Sequence, residues 1–375
     1  MEVKRNDAEV GAFSISETST SASYKESPRR RGFQGERVHC VQIGLGTFAT
    51  FVQNLAGTSG EWDRMVGWLM EMTSAPRGCR NEFKGVAVEP VLEHVRRLKK
   101  LVQPMLPQVE LVHAAIGEKD METVEMHVLT QAAHDELVRS VSPRNQRDVR
   151  DHLGYLLNMT SIGSQHPIWD HVWSKAWRLF GIDVQLEVQR TTIWNYGRLA
   201  GSLNFVGCEL LMIDAEGHDA QILRSMIEHC LEEEDAGRNA WPDVIVFEMA
   251  GHCDYKEGVE VEAPVVKRLA ECGYEQFGED FMNVFLVKVS ELDKSERLQT
   301  WLKASGCQIC QAWGPSVWPI LYESGQQYCR TCRKPPGKSC KECHEDRHLL
   351  FEGSGQFSGW FYCEACWSSW KTQYH

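Results

Sequence analysis

The sequence predicts an α/β domain built on a doubly wound, Rossmann-like sheet with helices on both faces, and three observations predict it. Between Val38 and Thr50 the chain reads VHCVQIGLGTFAT, an apolar strand-like run that breaks into a turn at Gly44 and Gly46 and resumes as a helix. A second run, GVAVEP, ends on an acid, Glu89. From Arg37 onward, strand and helix patterns alternate, and the strand runs are short, apolar and β-branched, as strands buried on both faces should be.

A glycine turn between strand and helix seats a nucleotide-shaped cofactor. The second glycine lets the backbone come close, and the free amides at the helix start, where Thr47 stands, favour electron-rich groups. An acid closing the second strand occupies the position that hydrogen-bonds a ribose diol. The turn lacks the G-x-x-x-x-G-K pattern of a phosphate loop, which favours a nucleoside or dinucleotide over ATP. The path from Gly46 to Glu89 is longer than the roughly 20 residues usual between glycine turn and acid in a plain dinucleotide fold.

The 375 residues are enough for a sizeable core and more than one domain. A net charge of −12 argues against nucleic-acid binding by the whole surface. No apolar stretch approaches the roughly 18 to 20 residues of a membrane span, and the N-terminus carries charges where a signal peptide needs an apolar core. The expectation is a soluble, intracellular, cytoplasmic protein with no membrane partner.

Residues 1–36 are rich in Ser, Thr and charge without period and read as a disordered tail, the Arg29, Arg30, Arg31 cluster being a solvated basic kink. The α/β domain spans 37–305. The helix after the glycine turn runs to Leu55, and a second helical stretch, Glu61 to Met72, places Trp62, Met65, Val66 and Leu69 on one side. Pro90 to Gln103 is amphipathic, with Val91, Val95, Leu98 and Val102 inward and Arg96, Arg97, Lys99 and Lys100 outward. Val109 to Gly117 reads as a third strand leading to a loop of small residues, and METVEMHVL alternates like an added strand or hairpin arm. Apolar residues from Pro167 to Phe180 repeat at helical spacing and read as core packing. CELLMIDAEGHDAQILRSMI supplies a strand, an acidic turn and a long helix with Ile222, Leu223, Met226, Ile227 and Cys230 on its apolar side. PDVIVFEMAGH is a further buried strand ending on Glu248; after a helix from about Val259 to Cys272, FMNVFLVKV closes the sheet.

Of 14 cysteines, eight lie between Cys307 and Cys366 as CxxC pairs: Cys307/Cys310, Cys329/Cys332, Cys340/Cys343 and Cys363/Cys366, separated by 18, 7 and 19 residues. In a reducing compartment such pairs point to metal rather than disulfides, and eight thiolates match two closed tetrahedral zinc sites. Residues 306–375 therefore read as a small zinc-stabilised module. The spacing leaves open whether neighbouring pairs meet or pairs interleave in a cross-braced arrangement, and His344 is a further candidate ligand. Arg330, Arg333, Lys334, Lys338 and Lys341, with Trp360, Phe361, Tyr362, Trp367 and Trp370, suit a protein-interaction or substrate-recruiting surface, with nucleic acid as the other partner class.

Taken in order, VQIGLGTFAT, GVAVEPVLEHVRRLKKL, VELVHAAIGEKD, LLMIDAEGHDAQIL, PDVIVFEM and LAECGYEQF resemble the FkbM family of S-adenosylmethionine-dependent methyltransferases, a branch of the class I methyltransferase fold. The resemblance spans about Val38 to Val289. It implies O-methylation of a hydroxyl on a carbohydrate or small molecule, with Gly44, Gly46 and Thr47 in the cofactor turn, Glu89 as the ribose-binding acid, and Ala114 and Ala115 bordering the adenine. Two departures stand out: Gln42 where the family begins its glycine motif with an acid, and Thr192, Ile193, Trp194, Asn195 where it carries Thr-Leu-Asp.

In an open α/β sheet the ligand lies beyond the carboxyl ends of the strands, which places Asp214, Glu216 and His218 beside the reactive end of the cofactor. His218 has the unperturbed pKa of a base, and Asp214 is suited to orient it, bind the acceptor or help hold a divalent ion. The structural alternative is that Asp214 or Glu216 caps the following helix. Glu248 and His252, at the next strand end, are second-line candidates. Two other functions stay open. Gly44, Gly46 and Ala49 fit the loose G-x-G-x-x-A form of a nicotinamide-dependent oxidoreductase, and a non-catalytic binding protein would use the zinc module on a degenerate scaffold.

Overall fold

The computed structural model describes residues 32–45, 72–75, 80–141, 143, 146, 161–162, 186–215, 217–248, 261–279, 283–304, 319–321, 327–329, 350–352 and 361–363. Most of the expected tail, the helices of 47–71, the Trp-rich stretch 167–180 and most of the cysteine-rich segment lie outside them. Among the described residues no helix is long and apolar enough to cross a membrane.

In chain order, β1 (Glu36–Ile43) is followed by β2 (Gly85–Glu89), helix α1 (Leu92–Leu101), β3 (Val109–His113), β4 (Ala115–Ile116) and β5 (Met121–Val128). Helix α2 (Gln131–Ser140), β6 (Ser161–Ile162), β7 (Glu187–Trp194), α3 (Tyr196–Leu203), β8 (Phe205–Ile213), α4 (Asp219–Asp235) and β9 (Val244–Glu248) come next. The chain continues through α5 (Glu262–Glu271), β10 (Tyr274–Glu279), β11 (Asn283–Lys288), α6 (Val289–Lys294) and α7 (Glu296–Ala304). Four short strands follow: β12 (Pro319–Leu321), β13 (Gln327–Cys329), β14 (Leu350–Glu352) and β15 (Phe361–Cys363).

Nine strands form the main sheet, in the order β13-β12-β10-β11-β9-β8-β1-β2-β3. From β9 to β3 every pairing is parallel. Strand β11 is antiparallel to both neighbours, β9 and β10. The sequence expectation that FMNVFLVKV closes the sheet is corrected here: β11 lies inside it, with β10 and the β12–β13 hairpin beyond. YEQFGE, which forms β10, carries too much polarity to read as a buried strand, and its partners come from the later segment.

Alternation along the central strands explains why helices cover both faces. Val41 and Ile43, Val86 and Val88, Leu211 and Ile213, Ile245 and Phe247 point to one core, where Leu199, Leu203, Leu223, Met226 and Leu269 of α3, α4 and α5 meet them. Cys40, Ala87, Leu210, Val244 and Val246 point to the other, against Leu98 of α1, Leu292 of α6 and Leu298, Trp301 and Leu302 of α7. With period-two side chains and both faces apolar, neither surface of the sheet can be left to water. The amphipathic reading of α1 holds: Val91, Val95, Leu98 and Val102 are buried. So does that of α4, whose Ile222, Leu223, Met226, Ile227 and Cys230 are all buried.

A second, four-stranded sheet has the order β4-β7-β5-β6. The stretch expected as one third strand divides at Ala114, with β3 in the main sheet and β4 pairing with β7. METVEMHVL is an added strand, as its alternation predicted, and pairs antiparallel with β7. Phe33 and Gly35, assigned to the tail by composition, are pinned: their amides donate to Leu203 and Asn204 carbonyls at 2.8 and 2.7 Å, and Phe33 meets Phe205 edge-on.

At the amino end of the sheet Arg37 ties β1 to its neighbours, donating to the carbonyls of Cys208 at 2.6 Å and Trp241 at 3.1 Å and to Asp243 Oδ1 at 2.5 Å. Burial pushes the Asp243 carboxyl up to about 7 while Arg37 opposes the shift. Arg37→Ala removes both the carbonyl donors and the counter-charge, with an expected loss of about 2 kcal/mol. Urea unfolding checks this, and Arg37→Lys, which cannot reproduce the fork, is expected to recover only part.

Candidate cofactor and catalytic site

The strand order reverses between β1 and β8, so the crevice outside their carboxyl ends is the ligand position of an open α/β sheet. The chain leaving β1 is closed onto both neighbours: the Gly44 amide donates to Val88 O at 3.0 Å, and the Asp214 amide donates to Ile43 O at 2.9 Å. Gly44 adopts φ +82, and a Cβ built on it would sit 1.7 Å from the Asp214 carbonyl oxygen. Only glycine permits this approach.

Glu89 ends β2 beside that turn and is buried. Its Oε2 accepts from the Leu45 amide at 3.0 Å and its Oε1 from the Val91 amide at 2.8 Å, so one carboxylate links the glycine turn to the entry of α1. His94, one turn into α1 and also buried, places Nδ1 3.4 Å from the same Oε1. Sequence reading missed His94, whose only signal was a polar residue on the inward face of an amphipathic helix.

Asp214, the residue after β8, is exposed. Its carboxyl is pushed up to about 6, first by the protein crowded around it and second by repulsion from Glu89, a repulsion its open face to solvent screens. Asp219, in the first turn of α4, is fully buried and bridges two strand ends: Oδ1 accepts from the Ala215 amide and Oδ2 from the Glu248 amide, both at 3.0 Å. Burial, then the nearby Asp214, push it up to about 8 against those two amide bonds. Sequence reading passed over Asp219 as an ordinary helix-start acid; its second partner is 29 positions away.

The structure thus brings Gly44, Glu89, Asp214, Asp219 and Glu248 to the carboxyl ends of β1, β2, β8 and β9. His218 is the N-cap residue of α4 and makes no side-chain cap bond, so capping explains neither it nor Asp214. Ala114 and Ala115 are buried at the divide between β3 and β4, Ala114 in the main core and Ala115 against Val124 and Ile193. Gly46, Thr47, Glu216 and His252 lie outside the described residues, as do the cysteine ligands apart from the backbone of Cys329 and Cys363. Asn195, noted as a departure from the family's acid, serves the local fold, since its Oδ1 caps α3 by accepting from the Arg198 amide at 2.6 Å.

Raised carboxyl pKa values leave a pH signature. Between about 4 and 6 the folded protein holds a proton on Asp214 that the unfolded chain has released, so this group's contribution to stability falls as pH rises through that window. Asp214→Asn is expected to gain on the wild type as pH is raised from 4 to 6 and to run parallel above it. Urea midpoints of both proteins across pH 4 to 8 check it; parallel curves throughout would remove the shift.

Fold and site together define an α/β protein with a mostly parallel central sheet, compatible with a Rossmann-like fold, and with an acid-lined crevice where the strand order reverses. No family model, curated protein or solved structure matches the chain.

Proposed function

We propose that the chain is an S-adenosylmethionine-dependent methyltransferase that transfers a methyl group to a hydroxyl of a small molecule or carbohydrate. The observation that carries this reading is the Glu89 carboxylate, fixed by the Leu45 amide beside the glycine turn at the crevice. Two amides take two of the roughly four acceptor positions of a carboxylate, so the docked acid keeps the chemistry a ribose diol needs. The strand order favours this cofactor over a nicotinamide dinucleotide. A dinucleotide-binding sheet continues past its fifth strand in parallel, whereas here the antiparallel β11 takes that place.

The residues divide the work by position. Glu89 would hold the ribose, the turn at Gly44 and Gly46 would let the backbone approach, and Ala114 and Ala115 would border the base. The cofactor supplies an electrophilic methyl group when bound. Asp214, with a carboxyl near 6, is matched to accept the acceptor hydroxyl's proton at neutral pH, and orienting that oxygen supplies much of the acceleration. Glu216 and His218, next in the chain, are the further candidates for acceptor contact. Two zinc ions on the eight paired cysteines would stabilise the C-terminal module, which would recruit a substrate, protein or nucleic-acid partner.

Calorimetric titration of the purified chain with S-adenosylmethionine, S-adenosylhomocysteine and NADH tests the reading. Micromolar binding of the first two is expected, and Glu89→Gln, which keeps the side chain's volume and one acceptor, is expected to weaken it about tenfold or more. Binding of NADH alone would replace the reading with an oxidoreductase, and binding of none of the three would leave a non-catalytic scaffold.

A further inference from the structure

We propose that the eight cysteines form two zinc sites in chain order, Cys307, Cys310, Cys329 and Cys332 in the first and Cys340, Cys343, Cys363 and Cys366 in the second, each closed by its own β-hairpin. The proposal rests on reading these thiols as zinc ligands and supplies the pairing that their spacing leaves open.

The carrying observation is strand register. In the β12–β13 hairpin the first residue of the entering strand, Pro319, stands opposite the last residue of the returning strand, Cys329. In the β14–β15 hairpin Leu350 stands opposite Cys363 in the same way. An antiparallel hairpin returns the chain to the end at which it entered, with facing Cα atoms about 4.5 to 5.5 Å apart. A CxxC pair shortly before the first strand and one that starts on the last residue of the second are thereby delivered to one end of the same hairpin. Cys310 lies nine positions before Pro319, and Cys343 lies seven before Leu350.

The two halves therefore share one order: CxxC pair, strand, loop, strand, CxxC pair. Their spacings, C-x2-C-x18-C-x2-C and C-x2-C-x19-C-x2-C, each fall in the range of a single four-thiolate site. The β12–β13 hairpin joins the main sheet through Ile320 opposite Glu279 of β10, whereas β14 and β15 form a sheet of their own. Among the described residues no strand pairing joins one hairpin to the other. Chain-order pairing uses the closure that each hairpin's own hydrogen bonds provide. Interleaved pairing needs a second closure between hairpins, at further cost in chain entropy.

Three full-length variants separate the possible pairings, each with four cysteines changed to serine. The first lacks Cys307, Cys310, Cys329 and Cys332; the second lacks Cys307, Cys310, Cys340 and Cys343; the third lacks Cys307, Cys310, Cys363 and Cys366. Zinc per chain is measured by elemental analysis after gel filtration, and cobalt substitution reports four-thiolate coordination by its charge-transfer absorption. The wild type is expected to hold about two zinc ions and only the first variant to keep about one with an intact four-thiolate spectrum. Retention by the second or third variant instead overturns the pairing but not the zinc reading, whereas a wild type without zinc overturns both. As a check that needs no variant, the wild type is stripped with graded chelator while freed thiols are alkylated and mapped by mass spectrometry. Cys307, Cys310, Cys329 and Cys332 should become reactive as one set and the other four as a second; sets that mix the two hairpins overturn the proposal.

Discussion

Gly44→Ala is expected to cost about 4 kcal/mol or more, the range reached when a substitution forces the backbone apart rather than trimming a contact. The new Cβ would lie 1.7 Å from the carbonyl oxygen and 2.6 Å from the carbonyl carbon of Asp214, and both are backbone atoms held by β8. No rotamer change relieves the collision. Either β1 and β8 separate at their carboxyl ends, breaking the Asp214 amide's bond to Ile43 O, or the turn leaves φ +82 and loses the Gly44 amide's bond to Val88 O. Gly237→Ala is the control, because Gly237 shares a positive φ of +76 but has nothing within 4 Å of the added carbon. It should cost only about 1 kcal/mol of backbone strain. Urea unfolding of both variants isolates the collision, and equal losses would show that Gly44 matters for its dihedral angle alone. Glu89 accepts from the next amide along, so the same variant is expected to abolish cofactor binding in whatever fraction still folds.

Asp219→Ala has the second largest expected effect, a loss of about 3 kcal/mol, because two buried amides lose their acceptor at once. The Ala215 and Glu248 amides stand at the ends of neighbouring parallel strands, beyond the last ladder bonds, and the Asp219 carboxylate is their shared partner. Asp219→Asn keeps one carbonyl acceptor and should recover about half of the loss. Hydrogen exchange localises the effect: protection at Ala215 and Glu248 should fall in Asp219→Ala while that of central β8 amides such as Leu211 follows global stability. A pH dependence accompanies it. With the folded carboxyl raised to about 8, the native state holds a proton from about pH 4 to 8 that the unfolded chain has released, so this group's contribution to stability declines across that range. Asp219→Asn is expected to remove that decline. Should the two curves keep a constant separation from pH 4 to 8, the buried carboxyl is not titrating as its surroundings dictate.

Asp214 and Asp219 divide the acidic turn between them. Asp214 faces solvent at the crevice, where a base for a hydroxyl must be reached, while Asp219 holds the loop between β8 and α4 against β9. Their sequence context, IDAEGHDAQIL, gives no sign of which acid is buried. Helical periodicity from Asp219 onward places that residue in line with Ile222, Leu223 and Met226, toward the core, but a polar residue at a helix start reads equally well as a solvated first-turn acid. The pairing with Glu248 depends on how far β9 slides along β8, which only packing sets.

The parallel core was legible because its signals are local and repeated. Runs such as CVQI, VAVE, ELLMI and VIVFE are short, apolar throughout and followed by helices with one apolar face, and a chain with that pattern must bury its strands under helices on both sides. The turn at Gly44 and the acid at Glu89 were legible for the same reason: each is a residue type with few substitutes at a strand end. The edge strands were less so. The second sheet joins β5 to β7, whose members Glu125 and Arg190 are far apart in the chain, and β7 alternates too weakly to announce itself.

The sequence by itself determined which segments become buried strands, where the backbone must do without a side chain, and that an acid ends the second strand, because these follow from side-chain volume, polarity and backbone freedom at each position. Only the tertiary structure decided the place of β11 within the sheet, the burial of Asp219 across two strand ends and the contact of Glu89 with the Leu45 amide. Each of those depends on non-local hydrogen bonds whose partners are chosen by the global arrangement that satisfies every buried polar group at once.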